Sequence, residues 1–244
     1  MKENKYDDEV FFEKYGRMER SRNGLTAAVE WETLKKLLPD FRGKRMLDLG
    51  CGYGWHCIYA AEHGASAVVG IDISRRMLEV ARAKTSFPQV RYRCVAMEDM
   101  EFDEGSFDVV LSSLALHYIE DFEPVVRKVH RFLKPGGSFL FSVEHPVFTA
   151  YGTQDWYYGE KGEILHFPVD NYYYEGKRVA HFLGENVIKY HRTLTTYLNG
   201  LLANGFQINS VVEPQPPERL METVPGMKDE MRRPMMLIVS AGKK

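Results

Sequence analysis

The stretch Lys44–Gly54, KRMLDLGCGYG, decides how this chain folds. Arg45–Leu49 carries the apolar residues Met46, Leu47 and Leu49 of a short strand buried in a parallel sheet. Three glycines follow at alternate positions, Gly50, Gly52 and Gly54, and a helical pattern opens at Trp55. Glycine has no Cβ, so a strand that runs through such a turn into a helix brings backbone N–H groups close to a ligand. The next apolar run, Ala67–Ile71, ends at Asp72, about twenty residues beyond the glycines, where an acid can accept from both hydroxyls of a ribose. One βαβ unit therefore offers a glycine floor and a ribose acceptor. That is half of a nucleoside site.

The turn reads GxGxG, whereas a pyrophosphate seated on a helix N-terminus calls for GxGxxG. DLGCGYG (Asp48–Gly54) resembles the first motif of the class I S-adenosylmethionine (SAM) methyltransferases, whose cofactor carries no phosphate. VVGIDIS (Val68–Ser74) is similar to their second motif, FDVVLSSLALHYI (Phe107–Ile119) to the fourth-strand motif and LKPGGSFLFS (Leu133–Ser142) to the fifth. The resemblance, to small-molecule enzymes of the type 11/25-like kind, is close over residues 1–144 and holds in outline beyond. It implies an α/β, Rossmann-like seven-stranded sandwich with strand order 3-2-1-4-5-7-6, the last strand antiparallel. It also implies SAM-dependent methyl transfer to a small-molecule acceptor, with release of S-adenosylhomocysteine. Residues 1–244 are then expected to form a single methyltransferase domain. Its parts are a helical cover (1–40), a SAM-binding core (41–144), a substrate-side insert (145–190) and a closing helix with two strands (191–244).

Composition narrows the partners. A formal net charge of −2 argues against a general nucleic-acid binder, and no nucleic acid is expected as partner. No run of eighteen apolar residues exists to span a membrane, and MKENKYDDEVFF lacks the apolar core of a signal segment. A cytoplasmic location is the expectation. Cys51, Cys57 and Cys94 are odd in number and lack CxxC spacing, so they read as reduced thiols. His56 beside Cys57 has no neighbours at ligand spacing, and no metal is called for.

Along the chain, Trp31–Leu38 has the spacing of a helix that stops before Pro39, preceded by apolar residues Leu25, Ala28 and Val29 at compatible positions. Ser74 is placed to cap a helix over Arg75–Ala83, and Val90–Val95 alternates as a third strand. Phe107–Ser112, an amphipathic helix Phe122–Phe132 and a strand Ser138–Glu144 complete the alternation expected of a parallel sheet. After His145-Pro146 the chain turns dense in aromatics, with a turn expected at Glu175-Gly176-Lys177. Thr193 caps a helix Leu194–Asn204 stopped by Gly205, and Phe206–Glu213 and Met235–Ala241 read as the last strands.

Methyl transfer from a sulfonium is an in-line displacement, so the protein must chiefly align the groups and exclude water. On the resemblance, Gly50, Cys51 and Gly52 admit the cofactor to the backbone, and Asp48 orders the end that carries its ammonium. Asp72 takes the ribose and Ile73 lies on the adenine. Where the family has an aspartate for the adenine amino group this chain has Ala96, leaving Glu98, or Asp99, as acceptor and Met97 to face the ring. Ser112 ends the fourth strand at the edge where α/β sheets bind ligands. Tyr15 and Arg20 of the N-terminal segment, with Met18 and Ser21, can reach the methionine end. His117 and His145, at the ends of the fourth and fifth strands, are the candidate catalytic residues, as base or as substrate-orienting groups. Cys51 and either histidine can equally serve packing or capping. Two other classes stay open: a non-catalytic SAM-binding module, and a dinucleotide-dependent oxidoreductase, which the GxGxG spacing disfavours.

Overall fold

A computed structural model describes residues 4–244; Met1 to Glu3, the start of the expected helical cover, lie outside that range. Five parallel strands, β1 (Arg45–Leu49), β2 (Ala67–Asp72), β3 (Val90–Cys94), β4 (Phe107–Ser113) and β5 (Leu133–Glu144), form most of one sheet. Four short strands of the insert follow: β6 (Tyr157–Tyr158), β7 (Ile164–His166), β8 (Gly176–Phe182) and β9 (Glu185–His191). The main sheet is completed by β10 (Phe206–Val212) and β11 (Met236–Lys243), in the order β10-β11-β5-β4-β1-β2-β3. β11 lies antiparallel to both β5 and β10, which is the 3-2-1-4-5-7-6 arrangement.

Among the described residues nine α-helices accompany them: α1 (Glu9–Gly16), α2 (Glu19–Asn23), α3 (Trp31–Leu37), α4 (Trp55–Glu62), α5 (Arg75–Lys84), α6 (Phe122–Phe132), α7 (Pro146–Thr149), α8 (Leu194–Ala203) and α9 (Glu218–Thr223). Side chains alternate across a strand, so each central strand feeds two cores. Leu47, Leu49, Phe139, Phe141, Leu237 and Val239 meet α6 and α8 through Val125, Val126, Val129, Tyr197 and Leu201. Met46, Val68, Leu140 and Ile238 meet α3, α4 and α5 through Leu34, Cys57, Ala60 and Leu78. The caps form as expected: Ser74 Oγ accepts from the Met77 N–H and Thr193 from the Thr196 N–H.

Two expectations need correction. The apolar residues before Trp31 do not extend its helix, because Gly24, at φ +67°, ends α2 and opens a 3-10 turn over Gly24–Ala27. Its bare Cα lets the Trp55 ring lie against the backbone, 3.0 Å from where a Cβ would stand. In the insert, Glu175-Gly176-Lys177 is no hairpin turn. Gly176 opens β8, and the reversal comes at Leu183-Gly184, whose φ values of +55° and +74° make a two-residue type I′ turn between Phe182 and Glu185. Glu175 instead accepts from the N–H and hydroxyl of Thr193, at 2.8 and 2.7 Å, and steadies the start of α8.

The insert is fastened from two sides. Arg192 donates to the carbonyls of Leu116, Ile119 and Glu120, tying β9 to the loop after β4. Arg233, before β11, sits among the rings of Phe148, Trp156 and Phe167 at 4.5, 4.9 and 4.7 Å and pairs with Glu230 at 2.5 Å. Trp156 is therefore part of a fastening and does not line the cavity at the sheet edge. Tyr157, Tyr158, Tyr173 and Tyr174 face outward.

Gly54 shows how tightly the glycine turn is packed. At φ +76°, a Cβ there would stand 2.3 Å from the Tyr92 hydroxyl and 3.1 Å from the Ala81 Cβ. Gly54→Ala should cost about 2–4 kcal/mol from left-handed strain and overpacking. Thermal melting should fall by roughly 2–4 °C per kcal/mol.

Candidate active site

At the carboxyl edge of the parallel strands lies a cavity of about 880 Å³. That is near the top of the range of about 300–1,000 Å³ for small-molecule sites. One half is built on the glycine turn. At Gly50 a Cβ would meet the Ala115 Cβ at 2.4 Å, so this glycine lets the loop after β4 close in. At Gly52, φ +52°, a Cβ would meet nothing within 4 Å, so the backbone stands bare to the cavity it lines. The Gly52 N–H donates to Asp72 Oδ2 and the Ser74 N–H to Oδ1, both at 2.8 Å. Burial raises the Asp72 pKa, while those two N–H groups pull the other way. Ile73, Ala96, Met97, Glu98 and Asp99 continue the wall, the last three in a 3-10 turn that Lys128 holds through the Glu98 carbonyl at 3.0 Å.

The N-terminal segment closes over this half. Asp7 accepts from the Ser74 hydroxyl at 2.5 Å and from the Arg76 N–H at 3.2 Å, seating the segment on the start of α5. Tyr6, Tyr15, Met18 and Arg20 line the cavity. Arg20 donates to Glu30 at 3.1 Å; burial would lower its pKa, but Glu30, with Tyr15 and Tyr6 beside it, outweighs that and raises it. Beside Arg20 and the glycine turn is a recess of about 70 Å³ bordered by Ser21, Cys51, Trp55 and His56. Ser21 Oγ and Trp55 Nε1 are buried with no partner among the described residues.

Asp48, Cys51 and Ser112 sit off the main cavity wall. Asp48 shares the Met46 face of β1, under α4, where it accepts from Cys57 Sγ at 3.3 Å and burial pushes its pKa up to about 7. Cys51 packs under the turn, its thiol pushed up to about 11 by burial. Ser112 is fully buried and donates to the Leu49 carbonyl at 3.0 Å; the wall residue is its neighbour Ser113.

In the other half the two candidate histidines part company. His145 faces away: Nδ1 accepts from the Val147 N–H at 3.0 Å, capping α7, and Nε2 lies 2.9 Å from Glu213. It is a capping residue and is absent from the cavity wall. His117 lines the cavity. Its Nδ1 accepts from the Glu144 N–H at 3.3 Å, so the neutral ring carries its proton on Nε2. Burial, chiefly, depresses its pKa to about 4. Next to it Tyr118 shares a 2.9 Å hydroxyl contact with Tyr6. Glu144, Gln154 and Lys189 form a buried cluster, with Glu144–Lys189 at 2.5 Å and Gln154 bonded to both, at 2.6 and 2.8 Å. Lys189 and Gln154 gave no local signal in the sequence. Glu144 could have been found from its place at the end of β5, by the rule that implicates the carboxyl ends of parallel strands.

A nucleoside site at the carboxyl edge of a doubly wound sheet defines a cofactor-binding α/β protein. Comparison with known proteins narrows the class. A family model described as a methyltransferase domain matches residues 47–141. A crystal structure of a Listeria monocytogenes protein placed among the SAM-dependent methyltransferases is 61% identical, with a TM-score of 0.86, over 91% of this chain and 99% of that one. A SAM-dependent methyltransferase from Mesorhizobium loti is 42% identical, TM-score 0.84, over 90% of this chain and all of that one (100%). The ubiquinone biosynthesis O-methyltransferase of Neisseria meningitidis is 38% identical over 107 residues, 42% of this chain and 45% of that relative. The chain belongs to the SAM-dependent methyltransferases and uses SAM as its cofactor. No helix among the described residues is long and apolar enough to cross a membrane.

His117 gives the site a pH signature. Its pKa is about 4 in the folded chain and about 6.5 when unfolded, so between those values the unfolded state binds the extra proton. The contribution of His117 to stability should fall as pH drops from about 6.5 to about 4, by on the order of 3 kcal/mol, and flatten below. Other buried groups titrate in the same window, His56 and Asp48 among them, so the readout is a difference: denaturant titrations should show the stability gap between wild type and His117→Gln changing by about that amount across the window.

Proposed function

We infer that the chain methylates a small-molecule acceptor, with SAM in the glycine-turn half of the cavity and the acceptor in the half floored by Glu144, Gln154 and Lys189. The observation that carries this reading is a single cavity with a nucleoside-type end and a separate polar floor. The residues present fit the cofactor. The backbone at Gly52 is bare where a ligand would lie, and Asp72 keeps lone pairs beyond those its two N–H donors use, for a ribose diol. Ile73 and Met97 would flank the adenine, with Glu98 as acceptor for its amino group in place of the missing aspartate at Ala96. Arg20, with the orphaned Ser21 hydroxyl and Trp55 N–H, would take the carboxylate of the amino acid end. Asp48 and Cys51 would support the turn from beneath.

When bound, SAM supplies an electrophilic methyl on a positively charged sulfur, with a neutral thioether as leaving group. The chain's own part is placement and exclusion of water. Tyr6, Tyr15 and Tyr118, whose rings pack edge to face at 5.2 and 5.9 Å around Tyr6, close the middle of the cavity. His117, with Nδ1 occupied, offers an Nε2–H and so orients the acceptor as a hydrogen-bond donor; it is not set up as a base. The Neisseria relative, an O-methyltransferase of ubiquinone biosynthesis, supports an organic molecule as acceptor.

Calorimetry tests the cofactor half. S-adenosylhomocysteine should bind at micromolar level and NAD hardly at all, and Asp72→Ala should weaken binding by about 1–3 kcal/mol when measured well below its melting temperature. Tight NAD binding without S-adenosylhomocysteine binding would overturn the reading. The cover has a separate readout. Amide hydrogen exchange over residues 4–23 and 176–191 should slow when S-adenosylhomocysteine is added, and unchanged exchange in both segments would count against a cover that closes on the ligand.

A further inference from the structure

The charges deep in the acceptor half answer one another. Lys189, only 2% exposed, donates to Glu144 Oε1 at 2.5 Å and to Gln154 Oε1 at 2.8 Å. The second Glu144 oxygen accepts from Gln154 Nε2 at 2.6 Å. Gln154 thus bridges the pair, its carbonyl on the cation and its amide N–H on the anion. The Phe182 and Tyr118 rings stand 5.4 and 6.0 Å from the Lys189 ammonium and shield it from water. The Lys189 charge, with the hydrogen bonds from Lys189 and Gln154, holds the Glu144 pKa below the usual glutamate value despite its burial, so the ion pair persists at neutral pH. His117 is neutral there. Beside His117 and Tyr118, the apolar side chains of Phe148, Val187, Met235 and Met236 line the same cavity.

Resting on the assignment of this half to the acceptor, we propose that the acceptor is taken up as an uncharged molecule with an apolar body and a hydrogen-bonding group, and that the Glu144–Gln154–Lys189 triangle turns away its anionic and cationic counterparts. A charged group that enters a closed cavity loses its hydration and needs a free counter-charge to offset the loss. None is free at this end. A carboxylate drawn to Lys189 would have to displace Glu144, and an ammonium drawn to Glu144 would have to displace Lys189. Either exchange leaves one buried ion unpaired. A hydroxyl or similar neutral group meets no such penalty, since it can share the lone pairs and N–H groups of the triangle without breaking it. The other charged residues on the wall do not alter this. Arg20 is held by Glu30, Asp72, Glu98 and Asp99 belong to the cofactor half, Lys5 pairs with Glu185 at 3.4 Å, and Lys177, His181, Glu120 and Asp121 are exposed and keep their water.

Three probes with one ring and one hydroxyl separate the charges: p-cresol (neutral), 4-hydroxybenzoate (anion) and tyramine (cation). Their binding to protein loaded with S-adenosylhomocysteine is read by saturation-transfer NMR, after calorimetry on the same sample has verified the loading. The wild type should bind p-cresol at least tenfold more tightly than either ion. E144Q, which leaves the Lys189 cation unanswered, should move 4-hydroxybenzoate to first place. K189M should do the same for tyramine. E144Q/K189M, which removes both charges together, should restore the neutral-first order and keeps the test decisive if a single variant melts without cooperativity. An ion ranked first on the wild type, no p-cresol binding, or an order that the variants leave unchanged would overturn the proposal. Failure to load S-adenosylhomocysteine would instead undo the reading of the cavity on which it rests.

Discussion

The hydrogen bond from the Gly52 N–H to the Asp72 carboxylate is the constraint on which the glycine-turn half of the cavity depends. It joins the turn after one strand to the end of the next, and the N–H groups of Gly50 and Cys51 reinforce it by sharing the Ile71 carbonyl at 2.9 Å each. A turn pinned in this way must run through positive φ at Gly50, Gly52 and Gly54, which a side chain would resist. The same carboxylate accepts from the Ser74 N–H, so the turn, the end of β2 and the start of α5 form one unit. Asp7 docks on that unit, and with it the segment that covers the cavity. The site is thus preorganised by backbone groups, with side chains added to a frame already fixed.

Much of this frame was legible in the sequence because its signals are local. Phe122, Val125, Val126, Val129 and Phe132 recur at helical spacing, and α6 has the predicted ends. Apolar runs mark the central strands because both faces are buried, and Ser74 and Thr193 cap helices for the reason such residues usually do. Four motifs in order, from the glycine turn to the fifth strand, indicated the fold family, and the strand order is the one that this resemblance implies.

The unread part is non-local or turns on a single residue's direction. One step along β4 decides whether Ser112 or Ser113 meets the cavity, and local sequence does not fix that step. His145 has the right position for chemistry, but its ring is used to cap α7. The β8–β9 reversal hid behind Leu183, a residue that seldom adopts positive φ, while Glu175-Gly176 carried a false turn signal. The Glu144–Lys189 pair spans a separation of 45 residues and exists only because the insert folds back over the sheet edge.

The cover is held unequally along its two edges. On the side of α5, Asp7 is bonded to the Ser74 hydroxyl and to backbone N–H groups of the helix start. On the side of the insert, the Phe11 ring meets Phe182 edge-on, and Lys5 and Lys14 reach Glu185 at the hairpin tip at 3.4 and 3.5 Å. Those ion pairs are partly exposed, where such contacts contribute little and are screened by salt. The segment is thus attached like a door, hinged at the helix that adjoins Asp72 and latched at the hairpin that carries Lys189. Ionic strength screens those ion pairs and spares both the Phe11–Phe182 contact and the Asp7 bonds to the helix start, so salt loosens the insert edge of the cover only slightly and the α5 edge less still.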